Sequence, residues 1–142
     1  MTDVMRPTVL IVDDSPTMRG MIQRTLTEGG YRVLEAANGP EGLARLEGER
    51  VQAILSDVNM PGMDGLTFVR RVRQDPRFAQ TPILFLTTEG TAEMKAAGKA
   101  AGATGWIVKP FEPEQLRNVI AMVIRRLTQP AAQRTGPANQ GA

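Results

Sequence analysis

The sequence predicts an α/β fold in which five parallel strands form one doubly wound sheet with helices on both faces. Five short apolar runs recur along the chain, and most consist almost entirely of Val, Ile, Leu or Phe, as in strands buried on both faces. The segments between them carry apolar residues at helical spacing, and parallel strands need such crossover helices. The predicted strands are residues 8–12, 32–36, 51–55, 83–86 and 106–108.

The first two helices have clear start signals. Ser15 and Pro16 suit the N-cap and first helical position of the first helix, which Gly29 and Gly30 end. Asn38, followed by Gly and Pro, opens the second helix. The apolar stripes are Met18, Met21, Ile22 and Leu26 in the first helix and Leu43 and Leu46 in the second.

The last three helices differ in how much apolar surface they can bury. Asp64 caps the third helix and Pro113 starts the fifth. The fourth, about residues 91–101, has Met94 as its only large apolar side chain, and Gly98 costs roughly 1 kcal/mol relative to Ala. We therefore expect the fourth helix to be the most loosely held. The stripes of the other two are Leu66, Val69 and Val72, and Leu116, Val119, Ile120, Val123 and Leu127.

Length and composition indicate a single globular domain. The chain has 142 residues, 42% hydrophobic and 23% charged, which is ordinary for such a domain. We expect the domain to span residues 7–127 after a short N-terminal extension, residues 1–6. Residues 128–142 have no large apolar side chain, so we expect a disordered C-terminal tail.

Two absent residue types and a small net charge exclude several classes of function. The chain has no Cys and no His, which excludes disulfides, thiolate nucleophiles, Cys/His zinc sites and Ser-His-Asp triads. A net charge of +2 does not support nucleic-acid binding, and we interpret the basic group around Arg70, Arg71, Arg73 and Arg77 as a solvated helix face. No apolar run approaches the ~20 residues of a membrane span, so we expect a cytoplasmic protein.

Polar residues capable of chemistry follow four of the five predicted strands. In such sheets, ligands bind beyond the carboxyl ends of the strands. We therefore expect these residues to converge on one edge of the sheet. They are Asp13 and Asp14 after the first strand, Ser56 and Asp57 after the third, Thr87 and Thr88 after the fourth, and Lys109 after the fifth.

The charges of these residues indicate a metal ion and phosphoryl transfer. Two carboxylates ~4 Å apart repel by about 4 kcal/mol at an effective dielectric near 20. Three carboxylates opposed by Lys109 alone therefore call for a divalent cation. All-oxygen ligands favour Mg²⁺, with Mn²⁺ and Ca²⁺ as alternatives. A carboxylate beside such an ion, a lysine and a hydroxyl can accept a phosphoryl group, giving an aspartyl phosphate.

Four segments resemble the receiver domain of two-component response regulators. They are VLIVDDS at residues 9–15, SDVNMPGMDG at 56–65, FLTTE at 85–89 and GWIVKPF at 105–111. The resemblance covers about residues 7–127 and is strongest to stand-alone regulators of the CheY type, which act in chemotaxis. It implies a flavodoxin-like sheet with strand order 2-1-3-4-5, the order that CheY has.

The resemblance also implies a role for each residue of the acidic site. Asp57 would accept the phosphoryl group from a histidine kinase of the CheA type. Asp14 would bind Mg²⁺ directly, Asp13 largely through water, and Asn59 through its backbone carbonyl. Lys109 would pair with the phosphoryl group, and its bond to the following proline is expected to be cis. Apart from phosphorylation and dephosphorylation of itself, the protein is not expected to be an enzyme.

Residues beside the acidic site would transmit and tune the signal. The resemblance implies that Thr87 hydrogen-bonds the phosphoryl group and that Trp106 is the switch aromatic, where Tyr or Phe is usual. Asn59 and Glu89 occupy the positions that tune autodephosphorylation. The bulky Thr88 replaces a small residue.

The resemblance also implies binding partners and leaves alternative functions open. We expect a monomer that receives its phosphoryl group from the kinase and binds a flagellar motor switch protein, with a phosphatase as a further partner. The main alternative is a phosphate sink that drains the kinase without binding the motor. A Mg²⁺-dependent phosphatase with an Asp nucleophile is a distant alternative, since those enzymes place nucleophile and acid two residues apart on the first strand. An FMN carrier is disfavoured because Asp13 and Asp14 would repel its phosphate.

Overall fold

The computed structural model describes residues 6–128, and it has the predicted sheet. Five parallel strands lie in the order β2-β1-β3-β4-β5. The strands are β1 (Thr8–Val12), β2 (Arg32–Ala36), β3 (Ala53–Asp57), β4 (Ile83–Thr87) and β5 (Gly105–Val108). The helices are α1 (Pro16–Glu28), α2 (Gly39–Glu47), α3 (Gly65–Arg73), α4 (Ala92–Ala101) and α5 (Pro113–Thr128), with a short 3₁₀ helix at Pro76–Phe78. Within residues 6–128, no helix combines the length and apolar character needed to cross a bilayer.

The helix boundaries follow the predicted capping residues. The side chains of Ser15, Asn38 and Asp64 accept hydrogen bonds from backbone N–H groups in the first turns of α1 to α3. Thr91, which was not predicted as a cap, does the same for α4. The 3₁₀ helix was not predicted. Residues 1–5 of the predicted extension and residues 129–142 of the predicted tail lie outside the described residues.

The predicted position of β3 is wrong by two residues. The apolar run begins at Val51 and ends at Leu55, but the strand extends over Ala53–Asp57. Ser56 and Asp57 pair in register with Phe85 and Leu86 of β4. Ser56 is buried, and its hydroxyl donates to the carbonyl oxygen of Asp57, 2.9 Å away. This hydrogen bond offsets the cost of burying the hydroxyl inside the sheet.

The core consists of two layers, one on each face of the sheet. Side chains alternate along β1: Leu10 and Val12 face one layer, and Val9 and Ile11 face the other. The first layer packs against α2, α3 and α4, and the second against α1 and α5. Both faces of the sheet are therefore covered, so its carboxyl edge is where polar side chains can gather.

Close packing, rather than a weak helix, explains Gly98 in α4. A Cβ at this position would lie 3.2 Å from the ring of Phe85, so the glycine lets α4 approach the sheet. The interpretation of the arginine group as a solvated face is wrong for Arg73. Its guanidinium donates to the carbonyl oxygens of Gly102 at 2.9 Å and Phe78 at 2.6 Å, which ties the end of α3 to the end of α4.

Candidate functional site

The end of β1 carries two carboxylates with different surroundings. Asp13 is fully buried, with 0% of its surface exposed, whereas Asp14 is exposed. The backbone N–H of Asp13 donates to the carbonyl oxygen of Ala36 at 3.1 Å, and its Oδ1 accepts from the N–H of Ser15 at 2.9 Å. Its Oδ2 receives no hydrogen bond from residues 6–128. A buried, unpaired carboxylate oxygen is costly unless a cation lies near it.

Asp57 ends β3 and lies on the same edge of the sheet. Its side chain is 14% exposed. The loop after it turns into α3 at Gly65, whose N–H donates to the carbonyl oxygen of Val58 at 2.8 Å. A Cβ at Gly65 would collide with the carbonyl oxygen of Asp57, so only glycine allows this loop to close against the strand. Asn59 lies exposed in the same loop.

Lys109, just after β5, supplies the positive charge. Its Nζ lies 3.6 Å from Oδ1 of Asp57 and 3.8 Å from Oδ2 of Asp13, and its side chain is 16% exposed. The backbone N–H of Lys109 donates to the carbonyl oxygen of Thr87 at 2.8 Å. The peptide bond between Lys109 and Pro110 is cis, as the resemblance implied.

The electrostatics of Asp57 reflect this arrangement. Burial raises the pKa of the Asp57 carboxyl above its usual value, and the carboxylates of Asp13 and Asp14 raise it further. The charge of Lys109 and a hydrogen bond from the N–H of Val58 act in the opposite direction. Burial and like charges therefore prevail, and the ionised form of Asp57 lacks a full countercharge.

The three carboxylates can hold a divalent cation. Asp13, Asp14 and Asp57 each offer an oxygen, and these oxygens all lie within 4.8 Å of one another. Oδ2 of Asp13, which accepts no hydrogen bond from residues 6–128, can serve as a donor atom to such an ion. Carboxylate oxygens without His or Cys suit Mg²⁺ or Mn²⁺.

Thr87 and Trp106 line the same small cavity near the acidic site. Thr87 is buried, and its Oγ1 accepts from the N–H of Glu89 at 2.9 Å. Trp106 is half-buried, and the Nζ of Lys95 lies 5.4 Å from the centroid of its indole ring. A cavity of about 10 Å³ separates them, with room for roughly one water-sized sphere. It is lined by Val58, Phe85, Thr87, Glu89, Met94, Lys95 and Trp106.

The acidic site is distinct from a larger cavity at the opposite edge of the sheet. That cavity, of about 530 Å³, is lined by residues 47–52 and by Arg77 and Phe78, near the amino ends of β3 and β4. None of the strand-end carboxylates lines it. The acidic site is therefore small and polar, and it suits an ion and a phosphoryl group better than a large organic ligand.

The structure brings together Asp13, Asp14, Asp57 and Lys109. Sequence reasoning missed Arg19, whose Nη1 donates to the carbonyl oxygen of Asp13 at 2.7 Å. An arginine in an amphipathic helix is usually solvated, so no sequence pattern indicated this contact.

The profile of the response regulator receiver domain matches residues 9–121, which is most of the chain. The chain belongs to the response regulator receiver domain family. Chemotaxis protein CheY1 of Helicobacter pylori is 42% identical over 118 residues, which are 82% of this chain and 95% of the relative. The prediction of a receiver domain of the CheY type is thus confirmed.

Solved receiver structures have the same fold. The chemotaxis response regulator CheY4 of Vibrio cholerae is 50% identical and superposes with a TM-score of 0.80, covering 83% of this chain and 98% of its own. The receiver domain of a sensor histidine kinase from Pseudomonas aeruginosa is 28% identical, with a TM-score of 0.79 and coverage of 84% and 98%. That structure contains a magnesium ion coordinated in its active site cleft. The predicted CheY-like, flavodoxin-like fold is confirmed.

Proposed function

We propose that this receiver accepts a phosphoryl group on Asp57 from the phosphohistidine of a CheA-type histidine kinase and acts as a chemotaxis response regulator. One observation carries the proposal: Lys109 contacts both Asp57 and the buried Asp13, within a cluster of three carboxylates. The names of the similar proteins, which include chemotaxis proteins, support the chemotaxis assignment.

Asp13, Asp14 and Asp57 would hold Mg²⁺, with the backbone carbonyl of Asn59 as a further ligand. The buried Oδ2 of Asp13 supports this assignment, because it accepts no hydrogen bond from residues 6–128 and its ion pair with Nζ of Lys109 is 3.8 Å long, so a metal ion would satisfy it better. Mg²⁺ supplies positive charge that offsets the charge of a phosphoryl group beside three carboxylates. Mn²⁺ suits the same oxygens.

The chain's own residues account for the transfer. A carboxylate oxygen of Asp57 attacks phosphorus, the bond between phosphorus and the imidazole nitrogen breaks, and the imidazole takes up a proton. Lys109 pairs with the phosphoryl oxygens. The Oγ1 of Thr87 already accepts from Glu89, and its proton faces only the carbonyl oxygen of Glu89 at 3.4 Å, a weak contact. That proton is available for a hydrogen bond to the phosphoryl group.

The output follows from the cavity that Thr87 and Trp106 both line. When Thr87 turns toward the phosphoryl group, it vacates space beside the indole ring, which then moves inward. This is a population shift between two packings, and it alters the surface formed by α4, β5 and α5. Asn59 and Glu89, at the rim of the site, would tune the rate of autodephosphorylation.

Phosphorylation by acetyl phosphate tests the proposal. With Mg²⁺ present, the intact mass of the wild-type protein should increase by one phosphoryl group, and Asp57→Asn should abolish the increase. Asp64→Asn is the matched control, because Asp64 is exposed and asparagine keeps its role as the N-cap of α3. A full adduct on Asp57→Asn would contradict the assignment.

Binding experiments distinguish a motor regulator from a phosphate sink. The phosphorylated protein should retain flagellar motor switch proteins that the unphosphorylated protein does not. Phosphorylation without any such difference would favour the sink. Turnover of added phosphomonoesters would instead favour a phosphatase.

A further inference from the structure

We propose that Arg19 is a positioning residue that fixes the peptide between Asp13 and Asp14, and thereby sets the affinity of the acidic site for a divalent cation. The proposal rests on the proposed function, because it concerns the ion that the same carboxylates would hold. Arg19 lies on α1 and would not itself bind the ion.

The position of Asp13 explains why its carbonyl group needs a partner. β1 ends at Val12, and the last backbone hydrogen bond to β2 is from the N–H of Asp13 to Ala36, at 3.1 Å. The carbonyl of Asp13 lies beyond this bond. Its partner is the guanidinium of Arg19, whose Nη1 donates to it at 2.7 Å.

Arg19 is itself held in place. Its side chain is only 19% exposed, and its Nε lies 3.4 Å from Oε1 of Glu35 on β2. The backbone of Glu35 is fixed on one side by its register with Ile11, and its carbonyl oxygen accepts from Nε of Arg45 on α2 at 3.2 Å. Arg19 therefore links the end of β1 to a well-anchored residue of the neighbouring strand.

Fixing this peptide controls both carboxylates at the end of β1. The carbonyl of Asp13 and the N–H of Asp14 belong to one rigid peptide unit. The N–H of Ser15 donates to Oδ1 of Asp13, and Oδ2 lies 3.8 Å from Nζ of Lys109, within the acidic site. If the peptide could rotate, the mutual repulsion of Asp13, Asp14 and Asp57 would separate the ligand oxygens.

The sign of the effect separates positioning from simple electrostatics. Arg19 is a cation close to a cation site, so loss of its charge alone would strengthen the binding of a divalent ion. Loss of the hydrogen bond that orients the ligands would weaken binding, and groups that orient metal ligands commonly contribute about tenfold to 100-fold. The two effects have opposite directions.

Binding of Mn²⁺, followed through the electron paramagnetic resonance signal of the free ion, measures this affinity without phosphorylation. We expect Arg19→Met to weaken Mn²⁺ binding about tenfold. Arg19→Lys should give an intermediate affinity, since an ammonium can donate to the carbonyl of Asp13 but lacks the planar fork that also reaches Glu35. Arg24→Met is the matched control: it removes the same charge from an exposed position of α1 and should leave the affinity within about twofold.

Unchanged or tighter Mn²⁺ binding by folded Arg19→Met would overturn the proposal. Circular dichroism and thermal melting establish whether that variant is folded at the temperature of the titration. If it is not, Arg19→Lys decides alone, and an affinity equal to that of the wild type overturns the proposal. Absence of Mn²⁺ binding by the wild type would instead contradict the proposed function, so the two failures are distinguishable.

Discussion

Lys109 and Asp57 are in contact although a whole strand separates them in the sheet. The Nζ of Lys109 lies 3.6 Å from Oδ1 of Asp57, while β4 runs between β3 and β5. The N–H of Lys109 donates to the carbonyl oxygen of Thr87 at 2.8 Å, which holds the backbone of Lys109 at the end of β4. From there the side chain reaches across the edge of the sheet. The ion pair thus depends on three strands ending together.

This ion pair does not fully offset the burial of Asp57, which leads to a prediction about stability. The folded-state pKa of Asp57 is raised, mainly by burial, so the ionised carboxylate destabilises the fold at neutral pH. Asp57→Asn should therefore raise the melting temperature at pH 7 in the presence of EDTA.

The stability difference between Asp57→Asn and the wild type should depend on pH. A raised folded-state pKa contributes stability at low pH that is lost as the pH rises through the folded value. The advantage of Asp57→Asn should therefore shrink as the pH falls towards the ordinary value of 3.8. Asp64 is the opposite case, because hydrogen bonds from Thr67 lower its pKa. Asp64→Asn should accordingly give no gain at pH 7, and a melting temperature of Asp57→Asn below that of the wild type would contradict the prediction.

The sequence predicted the acidic site well because the site depends on topology. Parallel strands end on the same edge of a sheet, so Asp13, Asp57 and Lys109 could be brought together without knowledge of any side-chain contact. The exact position of β3 was harder to predict. A run of apolar residues indicates a buried strand, but it cannot show that the strand continues through Ser56. That serine is buried because its hydroxyl forms a hydrogen bond with the backbone.

The contacts made by arginines and glycines could not be predicted from the pattern. Arg19 and Arg73 occur in helices where a solvated arginine is the default, yet both donate to carbonyl groups outside their own helices. A glycine at position 98 lowers the helix propensity of α4, yet it permits close packing against Phe85. Each contact depends on how two elements approach each other in space, which hydrophobic periodicity does not encode.

Phosphorylation should require a divalent cation. The three carboxylates carry more negative charge than Lys109 can offset, so a phosphoryl donor would be repelled without the ion. Excess EDTA should abolish phosphorylation of Asp57 by acetyl phosphate, and Mg²⁺ or Mn²⁺ should restore it. Undiminished phosphorylation in EDTA would show that Lys109 alone suffices.

Asp14 should matter for metal binding far more than for folding. Asp14 is exposed, so Asp14→Ala should change the melting temperature of the metal-free protein little. Loss of one ligand oxygen should weaken Mg²⁺ binding by tenfold or more, about 1.4 kcal/mol at least, as measured by calorimetry. Glu28→Ala removes an exposed carboxylate at the far end of α1 and is the matched control. Equal Mg²⁺ affinities for the two variants would exclude Asp14 as a ligand.

Two glycines in helices should respond differently to the same substitution. A Cβ at Gly20 in α1 would have no neighbour within 4 Å, so Gly20→Ala should raise the free energy of unfolding by about 0.5–1 kcal/mol. A Cβ at Gly98 would lie 3.2 Å from the ring of Phe85, and the crowding offsets the gain in helix propensity. Urea denaturation of both variants measures the difference. A larger gain for Gly98→Ala than for Gly20→Ala would contradict the close packing of α4.

The final prediction concerns Trp106, which is the only tryptophan in the chain. Its fluorescence therefore reports on a single position. The neighbouring cavity, about 10 Å³ in volume and lined in part by Thr87, is too small for an indole ring, so the ring can move into it only when lining side chains move. Beryllofluoride with Mg²⁺, as a mimic of the phosphoryl group on Asp57, should draw Thr87 away and let the ring move inward. Relative to Mg²⁺ alone, the emission should shift and quenching by iodide should decrease.

Variants of two adjacent threonines test whether Thr87 is the link. Thr87→Ala should abolish the fluorescence response while the mimic still binds, because the hydroxyl that engages the phosphoryl group is gone. Thr88→Ala is the matched control, since Thr88 is exposed whereas Thr87 is buried, and it should respond like the wild type. If the mimic binds tightly to the wild type while emission and quenching stay at the Mg²⁺ baseline, Trp106 does not report phosphorylation. The acidic site would then still accept a phosphoryl group, but without this route to an output surface, and the phosphate sink would become the favoured function.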